Sequence, residues 1–360
     1  MVKDRINALR DFLRDNDLDG VIISKLENLF YFSGFTGDDT MLVLSPNDAV
    51  LVTDFRYIEQ AAAEAPLFQI VKQEGGLLAK VAETVNSLGI KKVGFEGSAL
   101  VWDWYSQIKK GLSEDLSLYS LQLDSLRQIK EQEEINCIKK AVAIADQAFE
   151  DILSFIKPGI SENAVAARLE NVMRSLGSMR PAFTTIVASG KRGSLPHGTA
   201  TEKLINHGEF VTMDYGAVYE GYHSDMTRTV CVGKADAKQR DVYDAVLKAQ
   251  LMGVSLVKPG ASGKGVDGEV RKYLTQRGYG EYFGHGLGHS LGLEIHEAPH
   301  LSLRSKCENL LADMLITVEP GVYIPDWGGV RIEDTVLVTE KSNDVLTSSN
   351  KELIELSVEQ

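Results

Sequence analysis

Long hydrophobic runs are missing from this 360-residue chain. No apolar stretch approaches the ~18 residues that crossing a bilayer needs, and the N-terminus, MVKDRINALRDFLRDND, sets Ile6, Leu9 and Leu13 among charges, as in an amphipathic helix rather than a secretory signal. Cations are scarce: 38 lysines and arginines stand against 51 acids, a net charge of −13, which argues against nucleic acid or an anionic membrane as partner. The only cysteines are Cys137, Cys231 and Cys307, odd in number and without a CxxC spacing. They make no disulfide framework, and reduced thiols in the cytoplasm are expected. Nucleotide loops are also absent, since the glycines of SGFTGDD (33–39) fit neither GxGxxG nor GxxxxGK[ST]. Histidine does not occur before position 197; all seven follow, so any chemistry is expected there.

The length favours two domains. Residues 1–125 alternate short apolar runs, VIIS (21–24), MLVLS (41–45), AVLVT (49–53), QIVK (69–72) and KVGF (92–95), with helical patterns near 3–16, 54–64, 76–88 and 101–111. This reads as an α/β domain, with a tight turn at Ser45-Pro46-Asn47-Asp48 making its sheet mixed. Trp102 and Trp104, at a helix start, are expected to pack. The charged stretch Leu126–Asn136 marks the boundary, and a long helix through Ile138, Val142, Ala145, Phe149, Ile152 and Ile156 opens the second domain, 126–360. There KPGISENAVAARLENVMRSLG (157–177) aligns without gaps to KPGASGKGVDGEVRKYLTQRG (258–278). Each copy has a serine in N-cap position, Ser161 or Ser262, and a closing glycine, Gly177 or Gly278. Two copies imply two similar halves about a pseudo-twofold axis, with a site between them.

The segment Glu209–Cys231 alternates as two strands about a turn at Tyr219-Glu220-Gly221. A two-residue loop at Tyr219 and Glu220 would set Asp214 directly opposite Asp225, roughly 5 Å apart at Cβ. Two like charges about 4 Å apart repel by roughly 4 kcal/mol at an intermediate dielectric, so a proton, an arginine or metal ions must compensate. Arg228 would point to the opposite face. His285, His289, His296 and His300 crowd a glycine-rich stretch, and Glu319 and Glu333 sit in apolar strand-like runs where a bare carboxylate is costly. The four acids Asp214, Asp225, Glu319 and Glu333 bring a charge that two divalent cations would balance.

DYGAVYEGYHSDMTRT, GHGLGHSLGLEIHEAP, VEPGVY and RIEDT resemble, in order, the motifs of the pita-bread metallopeptidases, the family of methionine aminopeptidases, Xaa-Pro aminopeptidases and Xaa-Pro dipeptidases. The resemblance covers the whole chain and implies an α+β protein: a creatinase-like N-terminal α/β domain followed by a pseudo-twofold pita-bread catalytic domain. It implies a metal set of Asp214, Asp225, His289, Glu319 and Glu333. Asp225 and Glu333 would bridge two ions, with Asp214 completing one and His289 and Glu319 the other, around a shared water. One nitrogen among four carboxylates suits Mn²⁺ or Co²⁺ better than a thiolate-type Zn²⁺ site, with Zn²⁺ as a further option. By the same resemblance Glu319 is the base, His197 and His296 contact the peptide and stabilise its tetrahedral intermediate, His285 supports the centre and Arg331 orients a carboxylate. The expected activity is removal of the residue before proline from a peptide with proline in second position, in a cytoplasmic homodimer. Some prolidases carry an arginine after the HExP segment to hold a dipeptide's carboxylate; here His300 follows Pro299, which leans the reading to an Xaa-Pro aminopeptidase. The alternatives are an Xaa-Pro dipeptidase and, from another class, a metal-free pita-bread binding module.

Overall fold

The computed structural model describes residues 1–357 and divides into two compact units, Met1–Arg127 and the chain from Gln128 on. The first unit runs α1 (Val2–Asp15), β1 (Gly20–Ile23), α2 (Leu26–Ser33), β2 (Thr40–Leu44), β3 (Ala49–Thr53), α3 (Ile58–Glu64), β4 (Gln69–Lys72), α4 (Leu77–Ser87), β5 (Lys92–Glu96), α5 (Trp102–Gly111) and β6 (Ser117–Leu121). Its mixed sheet has the order β4-β3-β2-β1-β5-β6, with β2 antiparallel to both neighbours. Ile6, Leu9 and Leu13 form the buried stripe of α1, as the sequence spacing predicts.

Three local features differ from the sequence reading. Helix α3 starts at Ile58 rather than near 54, because the Asp54 carboxylate accepts the Arg56 backbone N–H at 2.8 Å and holds a turn there. The sequence pattern did not reveal α2, which is apolar on most sides, or the edge strand β6. Trp102 is 74 % exposed and Trp104 44 %, so the pair does not pack into the core; Trp102 leans on Tyr105, ring centroids 5.6 Å apart.

The second unit opens with α6 (Gln132–Phe155) and α7 (Glu162–Ser175), then β7 (Ile186–Ser189), β8 (Phe210–Tyr215), β9 (Val218–Tyr219), β10 (Tyr222–His223) and β11 (Met226–Val232). The second helix pair is α8 (Ala237–Leu256) and α9 (Gly263–Gln276). The strands β12 (Gly288–Ser290), β13 (Glu297–Leu301), β14 (Leu315–Val318), β15 (Gly321–Ile324), β16 (Gly328–Arg331), β17 (Asp334–Val338), β18 (Asn343–Val345) and β19 (Glu355–Leu356) follow. The repeated segments become α7 and α9: Ser161 accepts from Ala164 N–H, Ser262 from Gly265 N–H, and Gly177 and Gly278 stand at φ 104° and 85°. Each half buries its own core. Ile144, Phe149, Val165 and Leu169 of α6 and α7 pack with Val211, Met213 and Val230, while Val242, Val246, Val266 and Val270 of α8 and α9 pack with Ile316, Val318 and Val336. Among the described residues no helix is long and apolar enough to cross a membrane.

The central hairpin is shifted from its expected register. Its turn is Glu220-Gly221, both at positive φ (47° and 85°), the backbone twist that a two-residue hairpin loop requires. A loop one residue earlier would have put the bulky Tyr219 in that strained region. Tyr222 therefore pairs with Tyr219, and Asp214 pairs with Thr227, not Asp225. Asp225 keeps the parity of Thr227, so it remains on the face of Asp214 as a diagonal neighbour.

Candidate metal centre

The candidate ligands lie in strands or in the short breaks between them. Asp214 lies in β8, Asp225 in the break between β10 and β11, and His289 in the middle of β12. Glu319 and Glu333 occupy short breaks rather than the strand interiors expected from sequence: Glu319 follows β14 and precedes Pro320, and Glu333 separates β16 from β17. There the backbone still finds partners, Glu319 N–H to Leu287 O at 2.8 Å and Glu333 N–H to Thr227 O at 3.1 Å, while the side chains are free to turn inward. Gly288 explains one glycine of the histidine-rich stretch. A Cβ there would stand 1.9 Å from Thr317 O, so only glycine lets β12 lie this close to β14.

The imidazole of His289 is aimed by its neighbours. Its Nδ1 faces the Ser290 carbonyl at 3.0 Å and so carries the proton, leaving the Nε2 lone pair 3.5 Å from both Asp225 Oδ2 and Glu319 Oε1. Burial and the nearby histidines hold its pKa down to about 3, so it is neutral. One donor atom each from Asp225, His289 and Glu333 fall within 4.8 Å of one another, and these three residues are buried. Among the described residues Asp214 Oδ1, Asp225 Oδ1 and Glu333 Oε1 are buried without a hydrogen-bond partner. Burial and mutual repulsion push the carboxyls up: Asp225 and Glu319 well above their ordinary values, each with Glu333 as the chief repelling neighbour, and Glu333 to about 8, with Asp214 as its own. A neutral imidazole lone pair and three unpartnered carboxylate oxygens lack a positive partner, and this donor set fits divalent cations.

Around these residues runs a polar scaffold. The Arg331 guanidinium, 3 % exposed, donates to Asp214 Oδ2 at 2.6 Å, Tyr323 Oη at 2.7 Å, Thr227 Oγ1 at 3.0 Å and Pro196 O at 3.2 Å. Thr227 in turn donates to Glu333 Oε2 at 2.7 Å. His285 reaches none of the acids directly. Its Nδ1 faces Gly286 O at 2.7 Å and its Nε2 accepts from Tyr323 Oη at 2.9 Å, while burial lowers its pKa to about 4. Arg228 lies on the other side of β11, against Asp334 at 2.8 Å. Thr227 and Tyr323 were not singled out from sequence. For Thr227 the signal was present, since it shares strand parity with Asp225; for Tyr323 none was.

The centre opens into a cavity of about 630 Å³ lined also by Phe183, His197, Ile295, His296, His300 and Ser302. His197 and His296 are both on its exposed wall, and the His296 ring meets His289 edge-on, centroids 4.4 Å apart. Burial and neighbouring His300 lower the His296 pKa. The site thus presents a cation-seeking floor and an imidazole-bearing rim, an arrangement suited to hydrolysis of an acyl bond.

Comparison with known proteins agrees in both units. Residues 136–340 match metallopeptidase family M24, and residues 5–129 match the creatinase/prolidase N-terminal domain. The Xaa-Pro dipeptidase of Pyrococcus furiosus is 40 % identical over 98 % of this chain and 100 % of its own. A solved Xaa-Pro dipeptidase from Bacillus anthracis superposes with a TM-score of 0.96 at 46 % identity, covering 99 % of this chain and 100 % of its own. The X-Pro aminopeptidase from Thermotoga maritima gives 0.89 at 34 % identity, covering 97 % and 99 %. With its creatinase-type N-terminal unit and its pita-bread catalytic unit, the chain belongs to metallopeptidase family M24.

Proposed function

We propose that this protein is an Xaa-Pro dipeptidase whose centre is two divalent ions, Mn²⁺ or Co²⁺ before Zn²⁺, held by Asp214, Asp225, His289, Glu319 and Glu333. The observation that carries the reading is the buried cluster of Asp225, His289 and Glu333, whose donor atoms lie within 4.8 Å of one another, together with carboxylate oxygens of Asp214, Asp225 and Glu333 that are buried without a hydrogen-bond partner. When bound, the ions supply Lewis acidity toward the scissile carbonyl and lower the pKa of a bound water. The chain's own residues do the rest. Glu319, its side chain 19 % exposed at the edge of the cavity, takes the proton of the attacking water. His197 and His296 stand where the peptide enters and offer N–H donors to the charge developing on the carbonyl oxygen. Arg331 holds Asp214 in place, and through Thr227 it holds Glu333.

On substrate length the relatives weigh against the aminopeptidase preference drawn from His300, because two of the three named above are dipeptidases. The aminopeptidase reading keeps one support of its own: His300, exposed on the cavity wall, stands where some prolidases are expected to carry a carboxylate-holding arginine. Turnover of an Xaa-Pro dipeptide against Xaa-Pro-Pro decides between them. Cleavage of the dipeptide alone supports the proposal, and preference for the tripeptide reverses it. The reading includes a cytoplasmic homodimer, for which light scattering is the test.

A further inference from the structure

Outside the metal centre one carboxylate gathers more donors than any ordinary helix cap requires. Glu162, the first residue of α7, is 0 % exposed. Its Oε1 accepts from the backbone N–H and the hydroxyl of Ser189, both at 2.8 Å. Its Oε2 accepts from the Thr201 hydroxyl at 2.8 Å, from Thr201 N–H at 3.2 Å and from the Arg192 guanidinium. Ser189 ends β7 and Thr201 lies twelve residues on, so the two oxygens grip the two stems of one connection, 190–200, which opens with a 3-10 turn at Gly190–Ser194. That loop carries His197 into the cavity. Arg192 closes the bracket within the loop by donating to Thr199 O at 2.8 Å, and Arg331 holds the far end through Pro196 O at 3.2 Å.

A loop of this length on a protein surface is ordinarily mobile, and a side chain at its tip would sample many positions. Here the stems are fixed by charge-assisted hydrogen bonds to a carboxylate that cannot turn to water, which makes each bond strong and its loss costly. The geometry points to Glu162 as a positioning residue: it touches neither substrate nor metal, and it sets where the His197 imidazole stands. This rests on the role proposed above for His197 and goes beyond it, because it assigns that role's precision to a buried acid in another element.

The test is a double-mutant cycle of Glu162→Gln and His197→Ala, assayed on an Xaa-Pro dipeptide with metal content measured alongside. Glutamine keeps one acceptor oxygen and turns an N–H₂ toward the donors of the other stem, so that either the Ser189 side or the Thr201 and Arg192 side is released. We expect Glu162→Gln to lower kcat roughly 10-fold or more with metal content unchanged, since misplacement of a group by about 1 Å costs up to ~100-fold. In the His197→Ala background the same change should cost less than about twofold, because the two residues act as one unit. In the metal-free protein, the NMR signal of the His197 ring should shift or broaden in Glu162→Gln. An equal fold-loss in both backgrounds, with His197→Ala itself impaired, overturns the role of Glu162 alone. A His197→Ala enzyme of unchanged turnover overturns the role of His197, and this inference with it. Should Glu162→Gln fail to fold, Ser189→Ala combined with Thr201→Val removes two side-chain donors while leaving the Arg192 pair, and the same cycle applies with the same outcomes.

Discussion

The Arg331 guanidinium reaches Asp214 Oδ2 at 2.6 Å and, with Thr227 as intermediary, Glu333 as well. One buried cation thereby orients two acids that come from distant parts of the chain, β8 and the break between β16 and β17. A lysine could supply the charge but not the fork of donors that meets Asp214, Tyr323 and Thr227 together. Arg331→Lys is therefore expected to weaken metal affinity or activity by roughly 10- to 100-fold, the usual cost of losing a group that orients ligands. Titration calorimetry and steady-state rates would measure it, and wild-type affinity together with wild-type rates would show that Arg331 only fills space.

Removing a candidate ligand and removing a candidate peptide contact should separate cleanly. Asp225→Asn and Glu333→Gln are expected to abolish turnover and lower the metal stoichiometry, whereas His197→Ala should reduce turnover and keep both ions. Elemental analysis beside the assay distinguishes them. Near-normal turnover in Asp225→Asn would mean that this residue does not bridge ions.

Chelation should abolish activity, and returning Mn²⁺ or Co²⁺ should restore it, with Zn²⁺ less effective on the hard, oxygen-rich donor set. A protein that hydrolyses Xaa-Pro after exhaustive chelation would contradict the metal-dependent reading.

The acids also predict how stability depends on pH. In the metal-free protein Glu333 has its pKa raised from an ordinary 4.5 to about 8, and Asp225 and Glu319 move in the same direction. Between those two values the folded chain holds protons that the unfolded chain releases, so stability falls as pH rises from about 4.5 to about 8. Cation binding displaces those protons and is strengthened by the same rise. The Tm gap between metal-loaded and chelated protein should widen across this window, as thermal melts at several pH values would reveal; a constant gap would refute the shared-repulsion account of these acids.

Tyr323 Oη sits between His285 Nε2 and Arg331 Nη1, at 2.9 and 2.7 Å. Tyr323→Phe leaves the buried Arg331 and the half-buried His285 each short of a bond, with a stability cost of roughly 1–3 kcal/mol. Denaturant melts would detect the loss, and an unchanged midpoint would mean that neighbouring groups take over the hydroxyl's bonds.

Local chemistry made much of this legible beforehand. The N-cap serines and closing glycines of the two repeated segments, the apolar stripe of α1 and the alternation of β8 and β11 depend on neighbours a few residues apart, and all were read correctly from their patterns. The hairpin register was not. It turned on which of Tyr219, Glu220 and Gly221 takes positive φ, a difference of one residue that moves the partner of Asp214 from Asp225 to Thr227.

The amino-acid sequence by itself determined that every histidine and the four candidate acids Asp214, Asp225, Glu319 and Glu333 lie in the second part of the chain, the acids inside motifs whose order marks an M24 peptidase. It could not determine that Arg331 reaches Asp214, Tyr323 and Thr227 at once, or that Glu162 grips the loop of His197. Those relations join residues as much as 117 positions apart, and they exist only after two helix-backed halves have packed and shut water out of the space between the side chains. Pattern along the chain reports the periodicity of strands and helices; which buried charge meets which donor is set by how those elements close on one another.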